Sequence, residues 1–472
     1  MNRRPVGLSR AIGQLNAVLT VCFVLMTVGL GYWGLVRAPA LIERDDNPRK
    51  IEDERRIRRG DILDRRGRPL VRSQAGALGT WERIYAAPAA APVVGYYSIN
   101  HGTGGIESAY DASIRGERAL GPIQQLEANL LHLYSAGVSV TLTLDLALEQ
   151  TADHSLGEWP GAIVLLNVRS GDILAMVSHP TFDPNTLEAD WPQLQYAANN
   201  PLLNRAAQGL YPPGLIFQTI TMAAIMEEGL AGPTTVFTDR AGVIMTVDPP
   251  IACPDDPPRT RFTLFEAYTW PCNVLFARLG LEMGGEKLAD FATRLGVGLP
   301  VDLPIPVAAG QILERGIWSD LLAARTAMGQ GELLVTPLEM ALVVATIAND
   351  GARPAPRLVL DVGGEPGAPP GDPHPALDVK VAQQLQTILR QAFAVGYPGA
   401  SAIDIAGRGG TAKSGRAGAP PHAWFIGFAP SRQPRYAVAV IAEHGGDGWA
   451  VAAPIAVQVL GQAIQEQAKT TP

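Results

Sequence analysis

Val138-Ser139-Val140-Thr141-Leu142-Thr143-Leu144 alternates apolar and hydroxyl side chains, which is how a strand with one buried face reads. Ala162 to Val177 follows as two apolar runs around Arg169-Ser170-Gly171-Asp172, a hairpin with its turn. Further on, Gly214 to Gly229 reads as a buried helix through Leu215, Ile216, Ile220, Met222, Ala223, Ala224 and Met226. Leu338 to Ala348 is a second such helix, and Val379 to Ala394 a third. The Gly- and Pro-dense residues 361–376 form a loop or insertion. Phe425 to Phe428 and Tyr436 to Glu443 close the chain as paired strands. Strand runs on both sides of a helical middle predict an antiparallel sheet flanked by helices, an α/β (α+β) domain over residues 138–472.

Before that domain, residues 73–140 carry turn signals and short apolar runs, and 43–72 form an arginine-rich stretch that reads as a solvated connector. A smaller N-terminal domain is therefore expected over 37–137. Ahead of it, Ala11 to Val36 contains no charged residue, and such a run spans the ~30 Å hydrocarbon core as a helix. Arg3, Arg4 and Arg10 precede this segment and Glu43, Asp45 and Asp46 follow it. The positive-inside bias then makes 1–10 a cytoplasmic tail, 11–36 a single-pass anchor and the remainder extracytoplasmic. The rival reading is a cleaved signal peptide with Ala38-Pro39-Ala40 as its site, but signal h-regions are usually ~7–15 residues, shorter than this run.

Composition narrows the function. The 472 residues carry 38 basic against 45 acidic side chains, a net charge of −7, with no long basic run, which argues against nucleic-acid binding. With 47% hydrophobic and 18% charged residues the chain is not disordered. Three cysteines exclude a disulfide-dense scaffold, the seven histidines show no ligand spacing, and neither a phosphate loop nor H-E-x-x-H occurs. No metal or cofactor is expected.

Several blocks are more specific. Arg59-Gly60-Asp61-Ile62-Leu63-Asp64-Arg65-Arg66-Gly67 with Leu70 and Ser73, then Gly105-Ile106-Glu107 with Tyr110, Asp111 and Gly116, resemble the non-catalytic domain of class B penicillin-binding proteins. These are membrane-anchored transpeptidases of bacterial cell-wall synthesis. Leu142-Thr143-Leu144-Asp145, Gly171-Asp172-Ile173-Leu174-Ala175-Met176-Val177-Ser178, Asp183-Pro184-Asn185 and Tyr211-Pro212-Pro213-Gly214 are similar to the front of their transpeptidase domain. Gly329-Gln330-Gly331, Val335-Thr336-Pro337-Leu338, Ala348-Asn349-Asp350-Gly351 and His422-Ala423-Trp424-Phe425-Ile426-Gly427-Phe428 fit its later elements. The blocks run in order from about residue 59 to 445. The resemblance implies the penicillin-binding transpeptidase fold with a pedestal or dimerisation-type N-terminal domain.

Such enzymes use S-x-x-K, S-x-N and K-[ST]-G. A lysine one helical turn from the serine takes its proton, and the third element supplies a cation, a hydroxyl and oxyanion-hole backbone. In this chain Leu215 stands at the serine position and Gln218 at the lysine position. Leucine has no nucleophilic atom, and a carboxamide is no base near neutral pH. The second element reads Pro271-Cys272-Asn273, keeping only Asn273. The third has Arg408 for lysine, Gly409 for threonine and Gly410, followed by Thr411. Arginine keeps the charge but, with a pKa above ~12, does not shuttle protons. Three rescues are weak. Lys413-Ser414-Gly415 lies five residues late, Cys272 has no local activating group, and Thr219 and Thr221 point to other helix faces.

The replacements are consistent with a filled cleft. Leu215 and Pro271 would pack as an apolar plug, with Gln218 bonded to Asn273 or to backbone. Asn273, Arg408 and Thr411 remain candidates for holding a stem-peptide carboxylate, and a salt bridge from Arg408 to a domain aspartate is the competing role. Cys253 and Cys272 are open to a disulfide on the exported side. The resemblance implies two functions: a non-catalytic scaffold, regulator or stem-peptide binder beside a polytopic glycosyltransferase of the shape, elongation, division and sporulation type, or an active DD-transpeptidase that binds penicillin through unrecognised chemistry.

Overall fold

The computed structural model describes residues 6–37, 48–117, 136–238, 243–244, 251–252, 261–270, 273–313, 316, 318–399, 404–416 and 418–470. Cys253, Pro271, Cys272 and the candidate cleavage site at 38–40 lie outside them. By internal packing the chain divides into two units, Met1–Arg58 with Ala75–Glu82 and Arg59–Gln74 with Arg83–Pro472.

The first unit contains helix α1 (Val6–Gly31), which continues in wider π-helical turns over Tyr32–Arg37. Within it Arg10–Gly31 has a mean hydropathy of 1.9 and none of its surface is buried. At 1.5 Å per residue this segment is about 33 Å long, matched to a bilayer core. Thr20 and Thr27 donate their hydroxyls to the carbonyls of Asn16 and Phe23, both at 2.8 Å, so these polar groups are satisfied inside the helix. Cys22 is a free thiol on this helix.

The next elements are β1 (Ile62–Leu63), β2 (Pro69–Ala75), which belongs to the second unit as far as Gln74, and β3 (Trp81–Tyr85), which belongs to it from Arg83. β4 (Val140–Leu142) runs parallel to β1, with Ile62 opposite Val140. The expected connector is corrected here, because from Arg59 onward the charged stretch is structural. Arg59 is 4% exposed, and its Nη2 reaches Glu107, itself fully buried, at 2.8 Å. Arg83 Nε reaches the other oxygen of Glu107 at 2.6 Å. Arg68 pairs with Asp64 and Asp145 at 2.6 and 2.8 Å, while Arg66 joins Asp145 to Glu466 at 2.8 and 3.0 Å. Carboxylates distant in sequence take up these arginines, which a local reading of charge density does not register. Gly67, at φ +79°, makes the turn between β1 and β2 in the left-handed region.

Helix α2 (Leu146–Leu156) begins at Asp145, whose side chain accepts from Ala147 N. The predicted hairpin is β5 (Gly161–Asn167) with β6 (Ile173–His179), Val164 facing Met176. Helices α3 (Gln218–Glu227), α4 (Leu264–Thr269) and α5 (Asn273–Met283) occupy the middle. Helix α6 (Pro337–Ala348) opens with a capping box between Thr336 and Glu339 and a proline at its first position. The Gly/Pro-rich insertion is more ordered than a plain loop. β7 (Ala352–Arg353) precedes it, β8 (Val359–Val362) runs into its first two residues, and it holds the short strands β9 (Glu365–Pro366) and β10 (His374–Pro375). Helix α7 (Val379–Gly396), strands β11 (Ala406–Ala412), β12 (His422–Ala429) and β13 (Tyr436–Ala442), and helix α8 (Ala452–Thr470) complete the chain.

Two sheets result. One is mixed, in the order β9-β8-β4-β1-β2-β3; the other, antiparallel as predicted, runs β11-β12-β13-β5-β6. Both faces of the second sheet are buried. Val164, Trp424, Ile426 and Ala439 pack with α6 on one side. Leu165, Phe425, Val438 and Val440 pack with α2 and α8 on the other. The strands therefore read as near-continuous apolar runs, because no face meets water.

Glu149 on α2 lies under this sheet, fully buried, and accepts the edge-strand Met176 N–H at 2.9 Å. Desolvation by burial pushes its pKa up to about 8. Since the folded state binds this proton more tightly than the unfolded chain, the stability it contributes is complete below the unfolded value and is lost as pH rises towards 8. The thermal midpoint should thus fall between pH 6 and pH 8, and Glu149→Gln should flatten that decline; an unchanged slope in the variant would refute the assignment.

Candidate functional site

The segment leading into the first catalytic position is held from several sides. Tyr211 and Val335 exchange backbone hydrogen bonds at 3.0 and 2.9 Å. The Tyr211 hydroxyl donates to Glu443 Oε1 at 2.7 Å, the atom that also accepts from Arg205 Nε at 2.8 Å. Trp424 Nε1 donates to Pro212 O at 3.1 Å, and Gly214 N to Gly329 O at 2.8 Å. Gly214 has φ +56°, and a Cβ on it would sit 2.3 Å from Thr411 O. Only glycine lets β11 approach this closely. The single helix expected over Gly214 to Gly229 is in fact a 3₁₀ turn, Gly214–Phe217, followed by α3. A Cβ on Gly410 would lie 2.9 Å from Ile216 N and 3.3 Å from Leu215 Cβ, so β11 runs directly across this turn.

At the first catalytic element one side chain is aliphatic and the other is paired with Asn273. Leu215 is half-buried at the start of the turn. Gln218, fully buried on α3, donates its Nε2 to Asn273 Oδ1 at 3.1 Å, one of the two bonds the sequence suggested. Its Oε1 is buried without a hydrogen-bond partner among the described residues. Thr219 and Thr221 do turn to other faces, with Thr219 Oγ1 2.8 Å from Tyr268 OH and Thr221 Oγ1 donating to Ala327 O at 2.9 Å.

Arg408 is 2% exposed and makes no ion pair among the described residues, so of the two roles weighed for it the salt bridge to a domain aspartate is not made there. Its guanidinium carbon instead lies 4.5 Å over the ring of Tyr268, while Nε and Nη2 are buried without hydrogen-bond partners among the described residues. Burial lowers the Arg408 pKa and the neighbouring Tyr268 opposes that shift. A desolvated cation–π contact is worth roughly 2 kcal/mol or more, and it provides the compensation visible for this charge. Sequence reasoning missed Tyr268, which belongs to no motif.

Gly409 faces the other side of β11. A Cβ there would meet the ring of Trp449 at 2.6–2.9 Å, and a Cβ on Gly396 would meet the same ring at 2.3–2.6 Å. Trp449 is seated between these two glycines and packs edge-on against Phe425 at 5.9 Å. The indole thus occupies the space of a threonine side chain at 409. Trp449 was also missed; the sequence signal was a tryptophan directly after Gly445-Gly446-Asp447-Gly448 opposite a glycine-rich strand. Thr411 is half-buried beside the turn, and Lys413-Ser414-Gly415 lies beyond the end of β11. The strand register fixes Arg408 opposite Ile426. Leu215 on the 3₁₀ turn, Gln218 on α3, Asn273 on α5 and Arg408 and Gly410 on β11 therefore hold the corresponding positions of the three elements. Among the described residues no three His, Cys, Asp or Glu side chains are grouped to hold a metal ion.

Comparison with known proteins agrees with this geometry. The family described as penicillin binding protein transpeptidase domain matches residues 161–461, and that described as penicillin binding protein A dimerisation domain matches 59–140. The peptidoglycan D,D-transpeptidase PbpA of Mycolicibacterium smegmatis is 33% identical, over 97% of this chain and 100% of its own length. The structure of penicillin-binding protein A from M. tuberculosis as a ceftriaxone acyl-enzyme complex superposes with a TM-score of 0.79 at 30% identity, covering 87% of this chain and 99% of that one. The D,D-transpeptidase domain of a peptidoglycan glycosyltransferase from Eggerthella lenta gives 0.76 at 30% identity, over 87% and 99%. With two successive family matches and a whole-length relative, the chain belongs to the class B penicillin-binding proteins.

Proposed function

We propose that this protein is a membrane-anchored member of the peptidoglycan-synthesis machinery that has given up acyl transfer and works by binding. Its partner is a polytopic glycosyltransferase of the shape, elongation, division and sporulation type, which it serves as scaffold or regulator. The N-terminus is cytoplasmic, α1 is the single anchor of the bacterial plasma membrane, and the second unit is extracytoplasmic. One observation carries the reading. At the turn where the family places its serine stands Leu215, and one helical turn on stands Gln218, engaged with Asn273. Relatives named as peptidoglycan D,D-transpeptidases support the cell-wall context. The stem peptide is a further candidate ligand, although Arg408 lies over Tyr268 and is almost fully buried.

Incubation of the full chain with a fluorescent penicillin, followed by denaturing electrophoresis and intact mass, should give no covalent adduct. A stoichiometric adduct at any residue would establish the competing reading, an active transpeptidase with unrecognised chemistry.

Restoring Leu215→Ser with Gln218→Lys should not revive acylation, since members of a catalytic unit act together. Adding Gly409→Thr should destabilise by about 1–3 kcal/mol through overpacking against Trp449. Trp449→Ala should relieve much of that loss in a double-mutant cycle by thermal or chemical denaturation. Additive effects of the two changes would show that the ring and the residue at 409 are independent.

Partner contact should depend on the anchor and the pedestal. Exchanging residues 11–36 for an unrelated membrane helix should abolish co-purification with the glycosyltransferase, because the anchor confines both proteins to one plane. Asn273→Ala with Arg408→Ala should leave it largely intact. The opposite pattern would return function to the cleft.

A further inference from the structure

Away from the catalytic turn, the loop after the helix Gly285–Arg294, the end of β7 with the segment that follows it, and the Gly/Pro-rich insertion line an open cavity of about 370 Å³. That is the size of a small-molecule site. Its charged lining consists of Arg353, Arg357, Asp302, Asp372 and the titratable His374. Arg357 is already neutralised, holding Asp172 at 2.7 Å. The Arg353 side chain is half-buried and makes no hydrogen bond or ion pair among the described residues. Burial alone pushes its pKa down, as expected of a cation stripped of water without a counter-charge. Space is kept for it by Gly296, at φ +107°, where a Cβ would lie 2.7 Å from Arg353 Nη1.

A free guanidinium offers parallel N–H groups to a planar oxyanion, and a carboxylate matches that fork. The rim selects further. Asp302 and Asp372 are exposed and unmatched by the other lining charges, so they disfavour a dianion such as phosphate and attract an ammonium. The lining also carries apolar side chains, among them Leu342 from α6 and Pro300.

We propose that this cavity is a binding site for a small zwitterion the size of an amino acid or dipeptide, its carboxylate on Arg353, its ammonium facing Asp302 and Asp372, and its apolar side chain against Leu342 and Pro300. The site is separate from the catalytic positions and independent of whether they turn over.

Isothermal titration of the full chain in nanodiscs with alanyl-leucine tests it. The same titration is run with the C-terminal amide of that dipeptide, its N-acetyl derivative and inorganic phosphate. The dipeptide should bind. The amide and the Arg353→Gln variant should each weaken binding at least tenfold, and Arg353→Lys should recover part of it. Asp302→Asn with Asp372→Asn, surface changes that leave the fold intact, should weaken the dipeptide several-fold and bring the N-acetyl derivative level with it. Absence of dipeptide binding, binding indifferent to Arg353→Gln while the variant keeps its thermal midpoint, or tighter binding of phosphate would each overturn the assignment.

Discussion

Burial of both faces of the five-stranded sheet is the constraint from which the rest of the domain follows. A strand without a solvent face places successive residues in two different interiors, and β11 shows the consequence at the site. Arg408 and Gly410 face the interior shared with α3 and α4, where one lies over Tyr268 and the other crosses the Leu215 turn. Gly409, between them, faces the interior shared with α8 and meets Trp449. A change in either helical layer therefore reaches the catalytic positions through a single strand, and the two glycines are the residues through which it does so.

The ion pairs around Arg59 to Arg68 follow a different rule. Glu107 is buried between two arginines, and Asp145 is held by two others that are about a third exposed, so each carboxylate joins segments far apart in the chain. Removing one partner of the buried Glu107 pairs typically costs about 3–5 kcal/mol, because a charge is left uncompensated. This explains why Arg59 to Gly67 is built as it is. Gly60 belongs to the same construction, since a Cβ there would lie 2.0 Å from Val138 O.

The sequence was legible where the cause of structure is local. Two apolar runs around a polar turn placed the β5–β6 hairpin, and the apolar run Leu338 to Ala348 placed α6. The order of the family blocks gave the architecture. It failed where the cause is long-range. The arginines after Arg58 looked solvated because Glu107, Asp145 and Glu466 lie up to hundreds of residues away. The substitutions at 215, 218, 408 and 409 were plain, yet their new partners were only partly so. Asn273 could be named for Gln218 because it belongs to a motif; Tyr268 and Trp449 belong to none and were found only in three dimensions.

Trp449 also makes two distant positions interdependent. A Cβ at 409 would lie 2.6–2.9 Å from its ring and one at 396 would lie 2.3–2.6 Å from it. A larger side chain at either position is therefore closed to this chain while the indole stays where it is. Residues 396, 409 and 449 thus form a single unit of substitution, in which the aromatic ring has to change before either glycine can.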